Sequence, residues 1–302
     1  MRIRTALMAA VMAAAACVAL PVSAGAAPPA AAPAVLDSIG SAVRTSGLFH
    51  GSSLKAVGLA DGGKSLVGLA TNRPEQAWKI GSVSGLSGDS FLVGIDYRVQ
   101  NGKLYGVGNQ GGIYTVSERN AKAAKVGQLS VALSGTSFGV DFNPAANALR
   151  IVSDNGQNLR QPFATTDGPT APTVADSSLT YPPAPATGIT AAAYTNNDLS
   201  PDTATTLFDL DTVLDQIAIQ SPANAGTLAP TGKLGADAAL DAGFDIYSTV
   251  RKDKAVALTA FATIGVAGTY ALYEIDLLTG SADKQGSFKT PVTDIAIPLG
   301  QR

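Results

Sequence analysis

The chain has 302 residues, 46% hydrophobic, 15% charged and 6% aromatic, with 32 Gly, 17 Pro, one Cys and one His. Charged residues fall short of the roughly 25% usual in globular proteins and Gly exceeds its usual ~7%, a balance of tight turns over long surface helices that points to an all-β chain. One Cys and one His exclude a disulfide framework, a Cys/His zinc cluster and any mechanism needing two imidazoles, and a formal net charge of −2 argues against nucleic acid as a partner.

Arg2 and Arg4 precede an apolar run from Ala6 to Leu20, followed by Pro21 and Val22-Ser23-Ala24. This is the layout of a signal peptide over residues 1–24, too short to span a bilayer, with cleavage expected after Ala24 and next at Ala26. Cys17 is a poor lipidation site, because Ala14-Ala15-Ala16 lacks the large aliphatic residue three places before it. Removing this segment takes away Arg2 and Arg4, so 21 basic residues become 19 against 23 acidic ones and the net charge moves from −2 to −4. It also leaves a chain without Cys, suited to a secreted or periplasmic location with no membrane span. Residues 25–47 read as an Ala/Pro-rich tether and a short helix or loop, and 48–302 as one domain.

Within that domain an internal repeat governs the reading. Gly94-Ile95-Asp96-Tyr97, Gly139-Val140-Asp141-Phe142, Gly243-Phe244-Asp245-Ile246 and Val292-Thr293-Asp294-Ile295 share an Asp beside apolar neighbours, with a degenerate copy at Ala191-Ala192-Ala193-Tyr194. The spacings of 45, 104 and 49 residues between successive Asp positions define a period near fifty, the 104 being two units with Ala193 midway. The first full copy contains short β runs at Phe91–Tyr97, Leu104–Val107, Ile113–Val116 and Ala123–Leu129, separated by Asn101-Gly102 and Gly111-Gly112. Four strands per unit is a propeller blade. Matching outer-strand endings recur at Ile80-Gly81, Val126-Gly127, Thr231-Gly232 and Gln285-Gly286.

Leu54 to Val83 supplies three strands without an inner one, and Thr290 to Ile297 is an inner-type strand without a blade. Pairing them closes a ring and removes an open seam. Units beginning near 54, 91, 137, 189 and 241 give a five-bladed β-propeller; a six-bladed ring drawing on residues 35–60 and a β-sandwich are the alternatives, the second disfavoured by the regular period.

Leu92-Val-Gly-Ile-Asp-Tyr-Arg98, Ser137-Phe-Gly-Val-Asp-Phe-Asn-Pro144, Arg150-Ile-Val-Ser-Asp-Asn-Gly-Gln-Asn-Leu-Arg160, Thr190-Ala-Ala-Ala-Tyr-Thr-Asn-Asn197 and Ala242-Gly-Phe-Asp-Ile-Tyr-Ser248 together resemble the bacterial family called domain of unknown function 4394. The resemblance covers roughly residues 54 to 297. It implies an exported, propeller-like protein and carries no catalytic residue across, since the family has no assigned activity.

Several motifs match known chemistry but lack its context. Gly106-Val-Gly-Asn-Gln-Gly111 fits G-x-G-x-x-G, yet Ile113–Val116 reads as a strand where a dinucleotide site needs a helix N-terminus, so a hairpin turn is expected. Gly135-Thr-Ser-Phe-Gly139 fits the nucleophile elbow, but no helix follows, and the only His, His50, lies upstream of Ser137 where such hydrolases place it downstream. His50 reads as a surface residue. Trp78 is expected to pack between blades or lie partly exposed on an outer strand, in preference to stacking on sugar. Asp209-Leu-Asp211 with Asp215 departs from calcium-loop spacing and reads as a strand end and turn. Ser153–Asn158 is a polar hairpin in which Asn155-Gly156 suits a type I′ turn.

The remaining candidates are the recurring acids. Asp96, Asp141, Asp245 and Asp294 are expected at similar height in the ring, with no residue assigned a catalytic role. If their carboxylates converge they offer a binding site, Ca²⁺ being the cofactor considered and Asn143 and Asn196 the helpers. The reading preferred here is structural: each Asp accepts backbone N–H bonds in its own blade's connecting turn, with Ile95 and Tyr97 on the opposite strand face. The function expected is a monomeric binding module for a protein, peptide or saccharide, ahead of a propeller-type hydrolase or lyase and of a structural surface module.

Overall fold

A computed structural model describes residues 53–301. The signal-peptide and tether readings, Cys17 and His50 lie outside the described residues. Short β-rich runs punctuated by glycine and asparagine turns produce five four-stranded antiparallel sheets. Blade 1 contains β1 (Lys55–Ala60), β2 (Ser65–Ala70) and β3 (Trp78–Ser82); blade 2 contains β4 (Leu92–Arg98), β5 (Lys103–Gly108), β6 (Gly112–Val116) and β7 (Ala123–Gln128). Blade 3 contains β8 (Phe138–Asn143), β9 (Ala148–Ser153), β10 (Asn158–Pro162) and the two-residue β11 (Val174–Ala175), followed by a small hairpin of β12 (Thr180–Tyr181) and β13 (Ala184–Pro185). Blade 4 is β14 (Ile189–Tyr194), β15 (Leu207–Asp211), β16 (Gln216–Gln220) and β17 (Leu228–Lys233). Blade 5 is β18 (Ala242–Arg251), β19 (Lys254–Val266), β20 (Thr269–Ile275) and β21 (Ala282–Ser287).

The last strand, β22 (Val292–Ala296), crosses back to pair antiparallel with β1 and completes blade 1. The expected closure is therefore present, and the ring has five blades. The clasp extends past the strand, where Gln301 bonds both the N–H and the C=O of Lys55, and Tyr247 of blade 5 donates to the Gln301 carbonyl. The inner strands adjoin one another in the cyclic order β22, β4, β8, β14, β18.

Each seam between blades has its own apolar cluster. Leu59, Leu66, Ile95 and Tyr97 fill the seam between blades 1 and 2, for example, and Val140, Phe142, Leu149 and Ile151 meet Tyr105 and Val107 between blades 2 and 3. The recurrent outer-strand endings have a common cause. Ile80, Val126, Thr231 and Gln285 are each skipped in the pairing of the outermost two strands, so each marks a β-bulge that bends the blade edge. The glycine that follows lets the next blade approach: a Cβ on Gly127 would meet the Pro169 ring at 2.3 Å, and one on Gly232 the Thr279 carbonyl at 1.8 Å.

One local expectation changes. The Ser153–Asn158 turn is not type I′. Ser153 and Gln157 pair around a three-residue loop, Gly156 donates to the Ser153 carbonyl, and only Gly156 has a positive φ, 86°. The Gly106–Gly111 run is the β5–β6 hairpin, as read from the sequence, and Ser137 lies immediately before β8 with no helix following.

Candidate functional site

The Gly-x-Asp motif is a device for joining blades. In β4, Gly94, Asp96 and Arg98 face blade 3, while Ile95 and Tyr97 face blade 1. A Cβ on Gly94 would lie 2.4 Å from Val140, one on Gly139 2.6 Å from the Ala192 nitrogen, and one on Gly243 2.3 Å from the Asp294 Cα. Glycine thus brings neighbouring inner strands close enough for the Asp two residues on to reach across. Asp96 accepts from the N–H of Phe142 at 2.7 Å, Asp141 from Tyr194 at 3.0 Å, and Asp245 from Ile297 at 2.5 Å. The expected turn bonds are not what these carboxylates make: each accepts from a donor on the next blade, and Asp96 and Asp245 also meet the N–H of the following residue in their own strands, Tyr97 and Ile246.

Asp294 departs from the pattern by two residues. Asp96 pairs with Tyr105 and Gly94 with Val107, whereas Asp294 pairs with Leu59 and Ala296 with Val57. Strand register therefore puts Ala296 at the level of Asp96 and Asp294 at the level of Gly94. From there Asp294 still crosses a seam, accepting from Ile95 at 2.7 Å. One level of the ring thus carries Asp96, Asp141, Ala193, Asp245 and Ala296, with Asp294 one step nearer the N-terminal ends of the inner strands. The seam lacking a carboxylate, between blades 4 and 5, contains Ala193 in the largest apolar cluster. It is bridged by Asn197, whose amide donates to the Ile246 carbonyl and whose N–H donates to Ser248 Oγ.

The carboxylates of Asp96, Asp141 and Asp245 offer oxygens all within 4.8 Å of one another. Among the described residues none of the four acids makes a salt bridge. Burial raises the pKa of Asp96, Asp141 and Asp294 well above the usual carboxylate range, and mutual repulsion adds to it; Asp245 is pushed up to about 7 by burial, against the backbone bonds from Ile297 and Ile246. The amides from neighbouring blades offset part of that cost. The two asparagines are held in turns. Asn143 accepts from Ala146 N–H, and Asn196, at φ 61°, donates to the Ala204 carbonyl.

Over this layer lies a cavity of about 150 Å³ at the mouth of the channel. Every blade contributes to it: Thr293 and Gly63 from blade 1, Phe91 and Val93 from blade 2, Ser137 and Phe138 from blade 3, Thr190 from blade 4, Asp241 from blade 5. Val93, Phe138, Thr190 and Thr293 sit at the starts of the inner strands, Phe91, Ser137 and Asp241 just before them and Gly63 in the β1–β2 turn, so the ring's closure assembles the mouth. Asp241 is fixed by the Tyr270 hydroxyl.

Outside the axis, Asp211 accepts from the N–H groups of Val213 and Leu214, and Asp215 from Ala238, as expected of a strand end and turn. Asp209 differs. It is fully buried with neither oxygen hydrogen-bonded, opposite Ala192 and Ala218, and desolvation raises its pKa well above the usual range despite Arg150 nearby. Arg150 itself is buried in a polar seam, bonded to Asp176, Asn158 and Asn224.

No helix among the described residues is long and apolar enough to cross a membrane. Solved structures similar to the chain include a protein from Lactobacillus plantarum, 18% identical over 78% of this chain and 67% of that one (TM-score 0.36), and a protein of unknown function from Bacteroides thetaiotaomicron, 15% identical over 82% and 68% (TM-score 0.42). A third is described as an auxiliary nutrient binding protein from Bacteroides ovatus, 12% identical over 70% and 56% (TM-score 0.41). None of these likenesses bears on what this chain binds. A search of curated proteins returns no match. The model of one family matches residues 65–296, from β2 through β22 and so across all five blades, and the chain belongs to that family, the domain of unknown function DUF4394.

Proposed function

We propose that the protein is an exported binding module that receives a protein or peptide partner at the mouth of its channel. The observation that supports this most is the convergence of all five blades on one small cavity. The starts of the inner strands and the turns beside them supply the contacts, held by the rigid blades. At about 150 Å³ the cavity holds the volume of roughly five waters, room for one projecting side chain and too little for an extended small ligand. Export is supported by the basic start, apolar run and Val22-Ser23-Ala24 ending of the sequence. Panning a random peptide library against the wild type and a Ser137→Trp variant, which fills the mouth, tests the reading. Peptides retained by the wild type and lost by the variant support it; equal retention by both, or no enrichment, overturns it.

A second reading is favoured by the mutual approach of Asp96, Asp141 and Asp245. Oxygens on one Ca²⁺ lie 2.3–2.6 Å from it and so up to about 5 Å from one another, a spacing the three carboxylates meet. Calorimetric titration of chelator-treated protein with Ca²⁺, beside Asp141→Asn, decides it. Stoichiometric heat lost in the variant supports the ion; absence of heat leaves the acids as blade-joining acceptors.

A further inference from the structure

The outer edge of blade 1 differs from three other blade edges at one cross-strand pair. The shared bulge aligns Gly68 opposite Trp78 in blade 1 with Thr115 opposite Ala124, Ile219 opposite Ala229, and Glu274 opposite Asp283. Where the other outermost strands carry a small or acidic side chain, β3 carries the chain's only Trp, and its partner has no side chain at all. A Cβ on Gly68 would lie 2.4 Å from the indole, so the ring rests across bare backbone of β2. One face is thereby seated on the sheet while the side chain stays open to solvent, the residue being 54% exposed.

A large aromatic covering a glycine is a known way to protect strand backbone. That accounts for the pair but not for what surrounds it. Beside the indole is a cavity of about 350 Å³ whose other walls are Ser53, Ala70, Asn72, Arg73 and Gln76. Ser53 Oγ donates to Asn72 Oδ1 at 2.6 Å, which fixes that amide with its NH₂ group left to donate elsewhere. Among the described residues the Arg73 guanidinium and the Gln76 amide make no hydrogen bond. A surface built to take another protein's apolar face would be lined with aliphatic and aromatic groups; here one flat aromatic face stands among a guanidinium, two amides and a hydroxyl. Arg73 and Lys79 flank Glu75, so no single sign of charge dominates and a neutral ligand is favoured.

We propose that the outer edge of blade 1 is a saccharide-binding subsite, with a pyranose ring stacked on the Trp78 indole and its hydroxyls bonded by Asn72, Arg73 and Gln76. The ring's C–H face meets the aromatic surface, and vicinal hydroxyls match the paired donors of an amide or a guanidinium. The subsite lies on the rim, away from the channel mouth, so either can fail without the other.

Because Trp78 is the only Trp, intrinsic fluorescence of the full chain reports on this place alone. Titration with cellohexaose, maltohexaose and chitohexaose is expected to give a saturable emission shift with at least one of them. By calorimetry, Trp78→Ala should then weaken binding about tenfold or more. Gln76→Ala, on an exposed residue, should weaken it severalfold while leaving the thermal midpoint unchanged, and it decides the matter if Trp78→Ala does not fold. The proposal is overturned if none of the three oligosaccharides shifts the emission at ~10 mM, or if Gln76→Ala and a folded Trp78→Ala bind as the wild type does.

Discussion

Deleting residues 290–302 removes β22 and with it the closure of the ring. Val292, Ile295 and Ile297 are at most 2% exposed. At roughly 1.5–3 kcal/mol for each fully buried aliphatic side chain, their loss costs about 5–9 kcal/mol. The deletion also strips the hydrogen-bond ladder from β1, the Asp294 bond to Ile95 and the Gln301 clasp on Lys55. Domains of this size are stable by only about 5–15 kcal/mol in total. The truncated chain is therefore expected to lose its cooperative thermal transition in circular dichroism and to aggregate through the exposed edge of β1. A synthetic peptide of residues 288–302 added in trans should restore part of the transition. An unchanged midpoint and an unchanged urea m-value in the truncated chain would refute the closure argument, because a strand that buries this much cannot be dispensable.

Further outcomes follow from the axial layer. Asp141→Ala leaves the buried Tyr194 N–H without its acceptor and should cost about 1–3 kcal/mol, whereas Asp141→Asn keeps an acceptor while removing a repelled charge and should match or exceed wild-type stability at pH 8, read from urea unfolding. Since the fold raises the pKa of Asp96, Asp141, Asp245 and Asp294, it favours their protonated forms. Stability from this source is full below the ordinary Asp range and is lost as pH rises through the folded values, for Asp245 between about 4 and about 7, so the thermal midpoint should fall across that window. Gly243→Ala places a methyl 2.3 Å from the Asp294 backbone and should destabilise by several kcal/mol in the same assay. N-terminal sequencing of protein recovered outside the cytoplasm should begin at Gly25; a chain starting at Met1 contradicts the export reading.

The blade count and strand positions were legible because each blade repeats the same local solution. Inner strands begin at Leu92, Phe138, Ile189 and Ala242, each within a residue of the sequence reading. The facing of Ile95 and Tyr97 away from Asp96 followed from strand alternation alone. What the pattern concealed was set by partners far along the chain. The level of Asp294 depends on pairing with β1, more than two hundred residues away, and the warning in the sequence was that Val292, not Gly, stands two places before it. The direction of the Asp bonds is a relation between blades, which a repeat within one blade cannot reveal. Asn197, and not Asn196, bridges blades 4 and 5, a choice made by the turn in which Asn196 adopts positive φ. The burial of Asp209 was hidden by its likeness to its neighbour Asp211, which does cap a turn. The lining of the channel mouth was not legible as a set, because its residues are drawn from five blades; only Thr136, Ser137 and Phe138 share a motif, the Gly135–Gly139 run.

The proposed recognition surface is the mouth of the channel. Hydrogen–deuterium exchange of the full chain, with and without a peptide selected on the wild type, tests it most directly. Protection on binding is predicted at the amides around Gly63, Phe91–Val93, Ser137–Phe138 and Ala242, with the outer strands unchanged. Protection confined to the outer strands or to the blade faces, with the mouth unaffected, would contradict it.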